Sequence, residues 1–207
     1  MSTKSILIVG ALLAEVLPVL RMLTEPTVLH HRLVRGKWNN CIVYVLRCGV
    51  GPKASFRRTK ETLSAITVER VVSIGTCGAL VDNVAIGDVF TSTVCHFEDG
   101  RYLEIEALTA VDVLPLITVS KPVLTPQRRQ YFQPKAALCE MEAFCVALAS
   151  ENVPVHALKV VSDHAGRDPD PAMSTSFIKA HRIAQFMLRA GYLSRTSLVP
   201  VLERCLL

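Results

Sequence analysis

The hydrophobic positions of this chain form short apolar runs that alternate with segments of helical period. Ser5–Gly10 is continuous in Ile, Leu and Val, which is typical of a parallel strand buried on both faces. Within Glu140–Glu151, apolar residues recur at i, i+3, i+4 and i+7, the spacing of one helix face. Strands are predicted at Ser5–Gly10, Val28–Arg35, Cys41–Cys48, Arg70–Gly75, Val89–Phe97, Leu116–Val119 and Val155–Val161, and helices at Glu15–Met22, Lys53–Ser64, Pro126–Phe132, Glu140–Glu151 and Ser174–Ala190.

This alternation predicts an α/β fold: a single three-layer α/β/α domain, residues 1–207, around a mixed, largely parallel twisted sheet. The length is sufficient for one well-buried core. Gly36–Asn40 is predicted as the turn of an inserted hairpin, and Gly75–Leu80 as a glycine-punctuated turn after a strand. Pro18 is expected within the first turn of its helix, where a missing N–H costs little.

Charge and cysteine content narrow the class of protein. The 23 basic and 18 acidic residues give a net charge of +5, and the basic residues are scattered without interleaved aromatics. A solvated surface is therefore favoured over a nucleic-acid site. The basic residues concerned are Arg57, Arg58, Lys60, Arg101, Arg128 and Arg129. The seven cysteines form no C-x-x-C pair and lie in apolar runs, which favours reduced thiols in a cytoplasmic protein over disulfides or zinc.

The N-terminus resembles a secretory signal, because Lys4 precedes an apolar run from Ile6 to Leu13. Glu15 and Pro18 interrupt the run, so a first buried strand is predicted instead. No other apolar run is long enough to cross a bilayer, and no membrane association is expected. The histidines show no metal-ligand spacing, so no metal site is predicted.

Four segments with candidate chemistry stand at the ends of predicted parallel strands: Gly10–Glu15, Gly49–Gly51, Gly75–Gly78 and Ser162–Asp163. Open α/β sheets bind their ligands at this edge. We therefore expect one cleft to collect them. Two carboxyl groups on separate elements of such a cleft are the groups that cleavage of a glycosidic bond requires.

Each acid also has a purely structural interpretation. Asp163 ends an apolar strand, where desolvation favours a proton donor, but it could equally cap the turn that follows. Glu142 and Glu15 lie near helix starts, where any acid is favoured by the exposed N–H groups. Glu140 and Glu142, two apart on a predicted helix, would point about 200° apart and could not face one ligand.

Two further motifs are weaker. Thr76 offers a hydroxyl and backbone N–H groups for a water or an anion, or belongs to a plain tight turn. Gly49-x-Gly51-x-x-Ala54 partially fits the dinucleotide fingerprint, although Pro52 lies inside it and Glu69 is poorly placed for ribose.

Taken in order, five blocks resemble the nucleoside phosphorylase/nucleosidase superfamily, and more narrowly the 5′-methylthioadenosine/S-adenosylhomocysteine nucleosidases and their relatives. The blocks are Ile6–Val16, Cys48–Ala54, Val71–Val89, Leu138–Ala143 and Leu158–Asp163. The resemblance implies a nucleoside phosphorylase-like fold, a purine nucleoside as substrate, a homodimer, and no cofactor.

The same resemblance implies residue roles in a hydrolysis through an oxocarbenium-like cation. Asp163 would protonate N7 of the purine, with Ser162 orienting it. Glu142 would bind the ribose hydroxyls and stabilise the cation, with Met141 against the sugar.

On the other side of the sugar, Glu15 would activate water with help from Thr76. A carboxylate in that place repels phosphate and favours a hydrolase over a phosphorylase. Lys159 stands where the nucleosidases have an arginine near the water, and Thr76 replaces a serine. Val123 and Leu124 fall where the family stacks an aromatic on adenine.

The segment between Asp99 and Thr118 is shorter than in the family, which implies a more open 5′ pocket. We therefore expect a 5′-substituted adenine nucleoside as substrate: methylthioadenosine, adenosylhomocysteine or 6-amino-6-deoxyfutalosine, the last a step toward menaquinone. The alternatives are a phosphate-dependent phosphorylase, a catalytically quiet nucleoside-binding protein and, less favoured, a dinucleotide binder.

Overall fold

The computed structural model describes residues 4–167 and 176–206, and in these residues the strands join into one twelve-stranded mixed sheet. The strands are β1 Ser5–Gly10, β2 Thr24–His30, β3 Leu33–Trp38, β4 Cys41–Arg47, β5 Arg70–Ala79, β6 Val89–Thr91, β7 Val94–Phe97, β8 Tyr102–Glu104, β9 Asp112–Val113, β10 Leu116–Thr118, β11 Leu138–Glu140 and β12 Val155–Asp163. The helices are α1 Leu13–Leu20, α2 Pro52–Leu63, α3 Pro126–Phe132, α4 Ala143–Ser150, α5 Ser176–Leu193 and α6 Val199–Leu206, with a π-helical turn at Ser194–Leu198. The α/β prediction is confirmed.

Four parallel strands form the middle of the sheet in the order β4, β1, β5, β12. The apolar runs of β1 and β12 are buried on both faces, as the sequence predicts for such strands. The register sets Gly10 opposite Arg47 and Gly75 opposite Lys159. The carboxyl ends of these strands therefore lie at one edge of the sheet, and the loops after them share that edge.

The glycine-rich stretch after Gly75 is strand rather than turn, so the prediction of a turn at Gly75–Leu80 is wrong. β5 continues to Ala79 and exchanges partners at its end, where Gly78 pairs with Cys139 of β11. A Cβ atom on Gly75 would lie 2.9 Å from Oε1 of Glu15, and one on Gly78 would lie 2.7 Å from the Ala165 Cβ. The glycines are needed because other groups approach the strand closely, not because the chain reverses.

The hairpin predicted around Gly36–Asn40 has different strand bounds in the structure. Val28–Arg35 is divided between β2 and β3, and the next reversal falls at Asn39, whose φ is +52°. Gly36 lies inside β3, where its Cβ would be 2.8 Å from the Leu23 Cβ. Pro18 lies in the interior of α1 rather than in its first turn, because α1 begins two residues earlier than expected.

Two other element boundaries were predicted wrongly. Val89–Phe97 is broken into β6 and β7, and the predicted helix Glu140–Glu151 is a strand followed by the shorter helix α4. Of the predicted helix Ser174–Ala190, residues 174 and 175 lie outside the described part, and α5 extends to Leu193. The π-helical turn packs on α1, and α6 packs on that turn. Leu198 and Leu202 belong to the same core cluster as Val16 and Val19 of α1. No helix in the described ranges is both long and apolar enough to span a bilayer.

Candidate active site

Glu15 is a buried carboxyl group in the first turn of α1, held against Thr76 of β5. Only 3% of the residue is exposed. The Leu12 N–H donates to Oε2 at 3.0 Å, and the Thr76 N–H and hydroxyl donate to Oε1 at 2.9 and 3.0 Å. The chain leaves β1 at Gly10 and starts α1 after Leu12, so Glu15 in the first helical turn folds back on the Leu12 N–H. Glu15 thus accepts one hydrogen bond on Oε2 and two on Oε1, of the about four that a carboxylate can accept.

Glu142 caps the start of α4 and reaches across to the loop after β4. Its Oε1 accepts the Gly51 N–H at 2.7 Å. Burial, together with repulsion from Glu140, raises the pKa of Glu142 to about 8, although the Lys159 ammonium opposes the shift. The amide of Gly51, which a dinucleotide phosphate would need, is thus already bonded to a carboxyl group.

Glu140, which the sequence analysis expected to point away from Glu142, lies beside it. Its Oε2 accepts the N–H groups of Glu142 and Ala143 at 2.9 and 2.8 Å, and the Thr118 hydroxyl donates to Oε1. The prediction that the two glutamates diverge is wrong, because Glu140 ends a strand and the helix begins only at Ala143. The signal available in the sequence was an acid two residues before the N-cap residue Glu142, close enough for its carboxyl group to reach the first N–H groups of the helix.

Lys159 supplies a buried positive charge to this cluster. The residue is 2% exposed, and Nζ lies 3.1 Å from Glu140 Oε2 and donates to the Ser73 hydroxyl oxygen at 3.1 Å. Burial works against the charged form, but attraction to the carboxyl groups of Glu140, Glu142 and Glu15 outweighs it and raises the pKa of Lys159. The predicted contact between Lys159 and the substrate or its water stays a prediction.

Asp163 ends β12 after a register shift that follows Val161. The Ser162 hydroxyl lies 2.7 Å from Oδ2 and 3.1 Å from the Cys77 carbonyl oxygen. This geometry is what orientation of Asp163 by Ser162 requires. A Cβ on Gly78 of β5 would lie 3.2 Å from Oδ1, so Asp163 is packed against the same strand that carries Thr76.

The residues predicted to contact the sugar and the base differ in how far their side chains are exposed. Met141 is partly buried, and its Cε would lie 4.0 Å from a Cβ on Gly51, in the loop bonded to Glu142. Val123 is 6% exposed and packed in an apolar cluster with Phe132, so this packing does not favour contact between its side chain and a ligand. Leu124 is 50% exposed and is open to contact.

The structure therefore gathers Glu15, Thr76, Glu142 and Lys159 into one charged cluster, with Asp163 on the adjoining strand end. Carboxyl groups on separate elements, one of them oriented by a hydroxyl, suit acid-base chemistry on a bond to a sugar. Within the described residues, no group of three or more His, Cys, Asp or Glu side chains could hold a metal ion.

Comparison with known proteins agrees with this geometry. The family model of the phosphorylase superfamily matches residues 5–108, and the chain belongs to this superfamily. The 5′-methylthioadenosine/S-adenosylhomocysteine nucleosidase of Shewanella frigidimarina is 25% identical over 222 residues, which cover 88% of this chain and 96% of the relative.

Solved structures show the same fold. An S-adenosylhomocysteine nucleosidase from Streptococcus pyogenes, in complex with 5-methylthiotubericidin, superposes with a TM-score of 0.82 at 19% identity, covering 99% of this chain and 98% of the other. The futalosine hydrolase of Helicobacter pylori gives 0.78 at 19% identity, with 98% of each chain covered.

Proposed function

We propose that this protein hydrolyses the N-glycosidic bond of a 5′-substituted adenine nucleoside and releases adenine. The candidate substrates are methylthioadenosine, adenosylhomocysteine and 6-amino-6-deoxyfutalosine. Support comes from the names of the relatives and from carboxyl groups at adjoining strand ends.

In the proposed reaction, Asp163 gives its proton to N7 of adenine while the bond from C1′ to N9 breaks, so the base leaves as a neutral molecule. Ser162 orients the Asp163 carboxyl through the 2.7 Å contact. Glu15 takes a proton from water as the water oxygen bonds to C1′, and Thr76 holds Glu15 in place. Acid on the leaving group and base on the nucleophile each account for a large share of such a rate enhancement.

Glu142 and Met141 complete the proposed site on the sugar side. Glu142 binds the ribose hydroxyls, and its carboxylate stabilises the positive charge that develops on the ribosyl ring. Because the pKa of this carboxyl group is about 8 in the free protein, a cationic ring beside it favours ionisation when the charge is needed.

Hydrolysis rather than phosphorolysis rests on one observation: the buried Glu15 carboxyl group occupies the donors that a phosphate would use. The Leu12 and Thr76 amides and the Thr76 hydroxyl all point at Glu15. The nearby positive charge of Lys159 is paired with Glu140. A phosphate dianion entering here would meet carboxylates, whereas a neutral water would not.

The test offers each of the three nucleosides with and without phosphate and follows adenine release. We expect adenine release that does not depend on phosphate. Release only with phosphate would instead establish a phosphorylase, and tight nucleoside binding without release would establish a quiet binding protein.

The remaining features are also proposed. One domain over residues 1–207, a homodimer and a cytoplasmic location are our proposals. The described cysteines are all free, which fits a reducing compartment. Sedimentation of the purified protein tests the dimer.

A further inference from the structure

Arg129 is buried in the structure, although the sequence analysis assigned it to a solvated surface. The residue is 9% exposed and lies in α3. Its Nη1 donates to the carbonyl oxygens of Ala79 at 2.6 Å and Ala165 at 3.0 Å, and its Nη2 donates to Asp82 at 2.8 Å. Burial of a guanidinium costs desolvation free energy, and the carbonyl and carboxylate partners of Arg129 offset that cost.

The two carbonyl groups belong to the two elements that carry the proposed catalytic groups. Ala79 is the last residue of β5, the strand of Thr76. Ala165 lies two residues after Asp163, in the loop that follows β12. Arg129 therefore joins the end of β5 to the Asp163 loop, which is defined here as residues 163–167. Asp82 adds a second tie, because it also accepts from Arg167 at 3.4 Å.

Close packing leaves this loop little freedom. A Cβ on Gly166, whose φ is +66°, would lie 2.4 Å from the Thr125 carbonyl oxygen and 3.2 Å from the Arg129 Cβ. On the other side, the Ala165 Cβ lies against Gly78 of β5. The loop is thus enclosed between the sheet and the start of α3, and the Arg129 guanidinium is the polar link between these surfaces.

We propose that Arg129 is a positioning residue, whose guanidinium fixes the Asp163 loop so that the Asp163 carboxyl group is aimed at the departing base. This inference rests on the proposed function. A planar guanidinium can serve two carbonyls and a carboxylate at once, which the single ammonium of a lysine does not reproduce. Because α3 begins at Pro126, two residues after Leu124, the same residue also ties the loop to the predicted base-binding segment.

The test compares Arg129→Met and Arg129→Lys with the wild type, each also in the Asp163→Asn background. We expect Arg129→Met to lower kcat by about 10²-fold with little change in KM, as for a misplaced catalytic group. Arg129→Lys should recover only part of this loss. In the Asp163→Asn background the same substitution should cost less than about threefold, because residues acting as a unit are not additive.

Arg128→Met is the matched control, since Arg128 is the neighbouring arginine of α3 and lies on its more exposed side. Its kcat should stay within about twofold of the wild type. The inference is overturned if Arg129→Met stays within threefold of the wild type, or if it costs as much in the Asp163→Asn background, which is the result of a general structural defect.

If the proposed function is wrong, the wild-type protein itself releases no adenine, whatever the variants do. Amide hydrogen exchange of residues 164–167 then tests, without any activity, whether the Arg129 guanidinium holds the Asp163 loop. Faster exchange of this segment in Arg129→Met, with the β1 amides unchanged, supports the positioning role. Equal exchange in the two proteins refutes it.

Discussion

The sugar side and the base side of the candidate site hold their acids in different ways. On the sugar side, Glu142 belongs to a buried network of ions in which Glu140 pairs with Lys159. On the base side, the Ser162 hydroxyl orients Asp163, and the loop is tied through backbone carbonyls. Glu142 is thus set among other buried charged groups, whereas Asp163 is set by a neighbouring hydroxyl and by the path of its backbone.

The largest effect that tests this difference is on the base side. Asp163→Asn should lower kcat by about 10²–10⁴-fold, because an amide cannot donate the proton that adenine needs to leave. The folded state should be little changed, since an amide retains an oxygen for the Ser162 hydroxyl. Steady-state adenine release measures the first effect and urea unfolding the second. Near-wild-type turnover would show that Asp163 is not the acid.

The next largest effect is on stability, and it tests the buried ion pair of Lys159 and Glu140 on the sugar side. Lys159→Met should reduce the free energy of unfolding by about 3–5 kcal/mol, because it leaves Glu140 as an uncompensated buried charge. Lys60→Met is the matched control: its ion pair with Glu151 is exposed, and its loss should cost about 1 kcal/mol or less. Urea unfolding measures both variants. Equal losses of unfolding free energy in the two variants would mean that the buried pair contributes no more to stability than the exposed one.

A smaller effect tests the close packing of the Asp163 loop against the start of α3. Gly166→Ala should lower the free energy of unfolding by about 1–3 kcal/mol and also lower kcat, because a Cβ at a φ of +66° meets the Thr125 carbonyl. Gly100→Ala shares the positive φ, at +97°, but nothing lies within 4 Å of its Cβ. This control should lose stability without losing kcat. Unchanged kcat in Gly166→Ala would contradict the tight loop.

The last effect is a pH dependence on the sugar side. The pKa of Glu142 is raised in the folded state from 4.5 to about 8, so the folded state holds an extra proton between these values. Stability should therefore fall as pH rises through this range. Glu142→Gln should remove this contribution. Unfolding curves at several pH values measure it, and an unchanged slope in the variant would place the proton elsewhere.

The sequence predicted the parallel strands well because their signal is local. Ser5–Gly10 is continuous in apolar residues, and its bounds are those of β1. The start of α4 was missed because Met141, between β11 and α4, extends the apolar stripe of that helix backward. Glycines at 75 and 78 were interpreted as a turn, since no local pattern shows that Glu15 or Ala165 will approach from far along the chain.

The candidate site was predicted unevenly for the same reason. Asp163 and Glu15 stand next to apolar strands, so their positions followed from the strands. Glu140 and Arg129 are buried only because distant segments close over them, Lys159 in one case and Ala79 and Ala165 in the other. Such partners cannot be recognised without the topology of the sheet.

The setting of Glu15 has a consequence for how this fold could change its reaction. Shortening that one side chain would leave two amides and a hydroxyl facing an empty space beside Gly75, which is a ready cradle for an oxyanion. One substitution at residue 15 would then be enough to replace water by phosphate as the nucleophile. The groups proposed to protonate adenine, Asp163 and Ser162, would be unchanged.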